Sequence, residues 1–171
     1  LENFLYKTSR GLRNGAIKPQ ELLPMFVEQA PEDDDLKRSF SRMSVSNHSI
    51  SRHLLTKVER ELRLTSELDV STPKRVHLEH IYPQRPQTAH RLPDHSAWVN
   101  RLGNHTLLDS SINSSLKNKP FNEKRARLAG AELVITRRVA EFEQWGRDEI
   151  EKRQNELAEF ATSIWGFNFS T

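Results

Sequence analysis

VHLEHIYPQ, residues 76–84, is the stretch on which the reading of this chain turns. Val76, Leu78 and Ile81 give it the apolar content of a short strand, and Pro83 ends that strand because proline cannot continue the ladder. Just before the stop the sequence sets a carboxylate next to an imidazole, Glu79 and His80. Taken alone, the pair reads first as a surface ion pair at a strand end; the alternative is the start of a site in which Glu79 holds a metal ion while His80 activates a water.

The segment around the pair is unusual in charge. The chain carries a net +3 over 171 residues, but the charge is not spread evenly. Residues 1–73 hold eleven basic and eleven acidic side chains, residues 74–127 hold ten and four, and residues 128–171 hold five and eight. The positive field therefore belongs to the segment that contains Glu79 and His80, and such a field attracts polyanions whatever the global balance. A solvated basic face is the plainer alternative. No run approaches the roughly 18 apolar residues of a membrane span, and no signal-peptide pattern is present. Cysteine is absent, which excludes a disulfide framework and a CxxC zinc ribbon and fits a reducing compartment. The chain begins at Leu1 rather than Met, as expected of a piece of a longer protein.

Outward from the strand the pattern is helical. Residues 2–13 and 19–28 read as short helices about an Asn14-Gly15 turn, with Pro19 in a first turn and Pro24 expected to kink or divide the second. Asp33, Asp34 and Asp35 favour the start of a helix over 34–43 through its dipole. Ser49 is expected to open a helix over 49–63, with Ile50, Leu54, Leu55, Val58 and Leu62 at helical spacing. After the strand, residues 84–95 read as an irregular loop. Asp94 or Ser96 is expected to cap a short helix holding Trp98 and Leu102, ended by Gly103. His105 to Leu108 reads as a second strand. Residues 110–116, 120–129, 131–145 and 147–165 are helical candidates. The expectation is a mainly α chain, α+β overall, around a small ββα core. It divides into a helical linker or support region (1–73), the core (74–129) and C-terminal helices packed on it (130–171).

Two antiparallel strands would bring Glu79 and His80 close to the Asn104 turn, and a helix leaving the second strand would fold Asn113 back beside Glu79. A carboxylate oxygen, an amide oxygen and an imidazole would then form a small cage open to water and phosphate. A hard ion such as Mg²⁺ takes few protein oxygens and stabilises charge on a scissile phosphate, while an imidazole titrating near neutrality can accept a proton from water. Asn104 is equally readable as a turn residue and Asn113 as a helix N-cap.

The combination EHIxP, LGNxTLL, Asn113 and NKxFxxK, in that order, resembles the HNH-type (ββα-metal) nuclease domain at the C-terminus of GmrSD-type modification-dependent restriction enzymes. SspE-type phosphorothioate-sensing anti-phage proteins share that domain. The likeness is best from about residue 49 onward and takes in Trp145, Ile150, Arg153, Leu157, Ala158 and Trp165. It implies a metal-dependent DNA endonuclease, nicking or cutting double-stranded DNA with Mg²⁺ or Mn²⁺, in a cytoplasmic prokaryotic protein with an upstream ParB-like nucleotide-hydrolysing domain. By the same resemblance His80 is the general base, Glu79 and Asn113 are metal ligands, and Asn104 orients the loop and His80. Asn118 and Lys124 also match the pattern, and the usual Leu after the middle Asn is His105 here. Lys117, Lys119 and Lys124, with Arg125 and Arg127, are the expected phosphate contacts, which position a duplex without reading it. His77 shares strand parity with Glu79. His90 and His95 are expected to be exposed or near DNA, and Trp98, Trp145 and Trp165 to pack in the core. The rival readings are a DNA-binding module without catalysis and a nuclease of the same chemistry directed at RNA.

Overall fold

A computed structural model describes residues 2–63, 76–110, 116 and 118–166. The chain runs through helices α1 (Glu2–Arg13), α2 (Leu22–Gln29), α3 (Asp33–Phe40) and α4 (His48–Arg63) into strand β1 (Val76–His80). The short helix α5 (His95–Val99) and a 3₁₀ turn (Leu102–Asn104) lead to strand β2 (His105–Asp109). Helices α6 (Phe121–Ala129), α7 (Val134–Arg137) and α8 (Arg147–Trp165) complete the chain. The architecture is mainly helical with one small antiparallel sheet, as the sequence leads one to expect. No helix among the described residues is long and apolar enough to cross a membrane.

β1 and β2 pair with Leu78 opposite Leu107, Glu79 opposite Thr106 and His80 opposite His105. A two-stranded ribbon is marginal in water, and here both faces are covered. Leu107 enters a core with Phe40, Leu55, Val58, Ile135 and Leu157, drawn from α3, α4, α7 and α8. One residue on, Leu108 turns the other way and joins Ile81, Leu116, Phe121, Leu128 and Val139. Alternation along the strand thus sorts successive side chains into two separate cores.

Helix starts follow local chemistry, with corrections to the sequence reading. Asn47 rather than Ser49 opens α4, its Oδ1 accepting from the Ser49 N–H at 2.9 Å, a role its short amide suits. α3 stops at Phe40 rather than running to residue 43, and the Met43 carbonyl beyond it accepts from the Leu102 N–H at 3.1 Å. Gly103 does not end a helix: α5 already ends at Val99, and Gly103 lies in the 3₁₀ turn against α8. A Cβ there would stand 2.3 Å from the Ile150 carbonyl oxygen, so close approach, not backbone conformation, requires glycine.

The single helix expected over 131–145 is broken into α7 and a 3₁₀ turn, Arg138–Glu141. Tertiary bonds explain the break. Glu59 of α4, fully buried, accepts from the Val134 and Ile135 N–H groups at 2.9 and 2.7 Å and caps α7 from across the fold. Arg125 of α6 donates to the Ala140 carbonyl at 2.9 Å, holding an oxygen that a continuous helix would use itself.

Candidate functional site

The site is built on the end of β1 and the turn that precedes β2. Asn104 holds these together. Its Oδ1 accepts from the Tyr82 N–H at 2.7 Å and the Trp145 Nε1–H at 3.1 Å. Its Nδ2 donates to the Tyr82 and Val99 carbonyls at 2.9 and 3.0 Å. The side chain is fully buried and all of its ordinary bonding capacity is met, so it fixes the chain two residues beyond His80. The backbone adds a further tie, Ile81 N–H to the Asn104 carbonyl at 3.0 Å.

α8 grips the same turn from behind. Gln154 Oε1 accepts from the Gly103 N–H at 2.8 Å, and its Nε2 donates to the Phe40 carbonyl at 2.7 Å. Arg153 Nη1 donates to the Gly103 and His105 carbonyls at 2.7 and 2.6 Å. Burial pulls the Arg153 guanidinium down to about 10, which still leaves it charged at neutral pH. The roles of Glu59, Gln154 and Arg153 were not read from the sequence. A signal existed: Glu59 lies beside Leu55, Val58 and Leu62, and Gln154 sits four residues from both Ile150 and Ala158, so each interrupts an apolar stripe.

Glu79 and His80, neighbours in sequence, are sent to opposite faces of the ribbon, so these two side chains do not converge in the single cage expected from the sequence. Glu79 faces α6, where Lys124 Nζ lies 2.6 Å from its Oε1. Lys124 also donates to the His80 carbonyl at 2.6 Å and is 0% exposed. Lys124 is therefore not a surface cation open to DNA phosphate: its stem passes through the core and its ammonium ends on Glu79. Burial pushes the Glu79 carboxyl up and the Lys124 ammonium down, and each charge opposes the shift of the other. Removing one partner of such a pair leaves a lone buried charge. Lys124→Ala is expected to cost about 3 kcal/mol in urea unfolding, with Lys124→Met recovering part of the loss because it keeps the packed stem.

His80 faces α4. Its ring lies 4.4 Å, centroid to centroid, from His105 and 5.5 Å from the exposed His48. Gln84 Nε2 is 3.4 Å from its Nε2. Burial first, then the neighbouring charges of His48 and Lys124, pull His80 down to about 4 against a favourable contact from Asn100, so the ring is neutral at pH 7 but a weaker base than the near-neutral imidazole expected from the sequence. His105 is buried completely and pulled down to about 3, chiefly by burial. The stability consequence has a definite sign. Between the ordinary imidazole range near 6.5 and about 3, the unfolded chain binds a proton at His105 that the folded chain does not. Stability is therefore full above pH 6.5 and is lost as pH falls below it. Urea unfolding of His105→Leu at acid pH is expected to show a slope against pH smaller by about 1.4 kcal/mol per unit than wild type.

The other expected residues are placed as follows. Asn113 and Lys117 lie outside the described residues. Lys119 and Arg127 are exposed, as phosphate contacts would be. Asn118 is exposed and accepts from the Arg85 N–H at 3.3 Å. His77 is exposed, as is His90. His95 is not a free loop side chain: its Nδ1 takes the Tyr82 hydroxyl at 2.7 Å, and that hydroxyl accepts from the Leu92 N–H. Trp145 is half-buried against Phe121 and Phe142 with its N–H on Asn104, so it packs and also supports the site.

Among the described residues no three His, Cys, Asp or Glu side chains converge as a cage for a metal. The donor in place among the described residues is one carboxylate, Glu79, with the Lys124 ammonium 2.6 Å from its Oε1. A lone carboxylate suits a hard ion that keeps most of its water, not a structural zinc centre.

A two-stranded antiparallel ribbon, packed between helices and carrying a buried Glu-His pair locked by an asparagine turn, defines a small α+β domain of the nuclease-like class. The chain belongs to the family of the C-terminal domain of GmrSD restriction endonucleases, whose model matches residues 30–160. No curated protein gives a match. The family is a restriction-endonuclease domain, and the site described lies wholly within the matched span.

Proposed function

We propose that this domain is a divalent-metal-dependent DNA endonuclease of the HNH (ββα-metal) type. It nicks or cuts double-stranded DNA as the effector of a modification-sensing restriction or anti-phage protein, with phosphorothioate among the modifications such a protein would sense. The observation that carries the reading is His80: a neutral imidazole at a strand end, turned towards exposed His48 and Gln84, on a backbone pinned by Asn104.

His80 accepts a proton from the attacking water at a ring nitrogen. Asn104 touches no substrate; it keeps the turn after His80 in one conformation. Glu79 and Asn113 would hold Mg²⁺ or Mn²⁺, which when bound supplies charge stabilisation at the scissile phosphate. Lys119 and Arg127, with Lys117, offer cations to the duplex backbone. An upstream ParB-like nucleotide-hydrolysing domain would do the sensing. Residues 1–73 would couple it to a core over 74–129, braced by the helices of 130–171.

One observation favours a second reading, a DNA-binding module with a degenerate core. Glu79 Oε1 is already satisfied by the Lys124 ammonium at 2.6 Å, which competes with a metal for the carboxylate. Supercoiled plasmid incubated with the domain and Mg²⁺ or Mn²⁺, with and without chelator, separates the two. Open-circle or linear product that chelator abolishes supports the nuclease. Retarded but intact plasmid under every condition supports the binding module. Cleavage of RNA in preference to DNA would reassign the substrate.

A further inference from the structure

His105 stands where an aliphatic side chain would pack without penalty. It lies in β2 directly opposite His80, is 0% exposed, and its Nε2 makes no hydrogen bond of normal geometry. Its Nδ1 lies 3.0 Å from the Ser51 hydroxyl, itself fully buried on α4. Its carbonyl is clamped by Arg153 at 2.6 Å. The ring has a favourable backbone contact from Val99, but a buried imidazole nitrogen short of a full hydrogen bond is unfavourable in the core. The ring nevertheless sits edge to face against His80 at 4.4 Å, with the planes inclined at 73°. Cross-strand neighbours at this separation restrict each other's rotamers.

We propose that His105 is a positioning residue for His80: anchored by Ser51 on one side and by the sheet register beneath, it fixes the plane in which the His80 ring meets a water. The inference rests on the reading of His80 as general base. Ser51 sets the His105 ring and His105 sets the His80 ring, whose neighbour on its other side is the exposed His48. A base tilted away from its water loses rate without losing substrate, since the duplex is held elsewhere.

The test compares wild type, His105→Leu and Ser51→Ala, the last a small change that keeps the α4 packing. Circular dichroism establishes folding. Steady-state cleavage of a duplex oligonucleotide gives kcat and KM, and long-range ¹H–¹⁵N spectra report the His80 ring. The expected result is a kcat lower by roughly 10- to 100-fold in His105→Leu and a smaller loss in Ser51→Ala. KM should be unchanged, and the His80 ring resonances displaced or broadened in both. Wild-type kcat with undisturbed His80 resonances in a folded variant overturns the inference. If His105→Leu does not fold, Ser51→Ala decides by the same two readouts. If wild type cuts nothing, the nuclease reading fails on its own, and the His80 resonances still decide whether His105 orders that ring.

Discussion

His80→Ala is expected to lower the rate of plasmid cleavage by about 10²- to 10⁴-fold, the range a positioned general base contributes. DNA retention should be unaltered, because phosphate contacts set position independently of the chemistry. The expectation follows from the state of the ring. The His80 ring is neutral at neutral pH and lies at the strand end beside Gln84 and His48, and deleting it removes the imidazole that the mechanism uses. His48, 5.5 Å away, is exposed and not locked in place, and should substitute poorly. Added imidazole should restore part of the activity of the alanine variant, since the deletion leaves room beside His105, and should not accelerate wild type. Equal cleavage by His80→Ala and wild type would remove His80 from the mechanism.

Asn104→Ala should be the most destabilising of the substitutions considered. The change strips partners from four groups at once: the Tyr82 N–H and carbonyl, the Val99 carbonyl and the Trp145 N–H. Buried groups left without partners cost about 1–3 kcal/mol each, and incomplete relaxation of a turn held by α8 limits recovery. A loss of roughly 4–6 kcal/mol is expected in urea unfolding. Asn104→Asp keeps the acceptor for Tyr82 and Trp145 but cannot donate to the two carbonyls, and it buries a charge, so it should not rescue. A loss below about 1 kcal/mol would show that the turn repacks, and would sink the view that Asn104 fixes the backbone beyond His80.

Much of the scaffold was legible because local patterns and tertiary packing agree. The stripe Leu55, Val58, Leu62 made α4, and the apolar residues of 147–165 made α8. The alternation of 76–80 and the short run 105–108 made the ribbon that pairs in register. Where they disagree, packing won. The 131–145 segment has helical spacing, yet Glu59 from α4 captures its first amides and Arg125 captures a later carbonyl, so it breaks. Gly103 resembles a helix stop, but it is glycine because Ile150 and Gln154 leave no room for a side chain.

The site divides in the same way. Residue order made Glu79, His80 and Asn104 candidates, because a strand ending in an acid and an imidazole, followed by an asparagine turn and a second strand, is written locally; their roles came from the family resemblance. Composition alone excluded a disulfide framework and located the basic segment. The tertiary structure decided what each side chain meets. It turned Lys124 inward to Glu79 rather than outward to phosphate, and gave His105 a place against the His80 ring. It also drew Gln154 and Arg153 of α8, and Trp145 just before that helix, onto one turn. A sequence records periodicity and local propensity; it does not record which buried polar atom will find which partner fifty residues away, and that choice is made only when the desolvated groups are brought together.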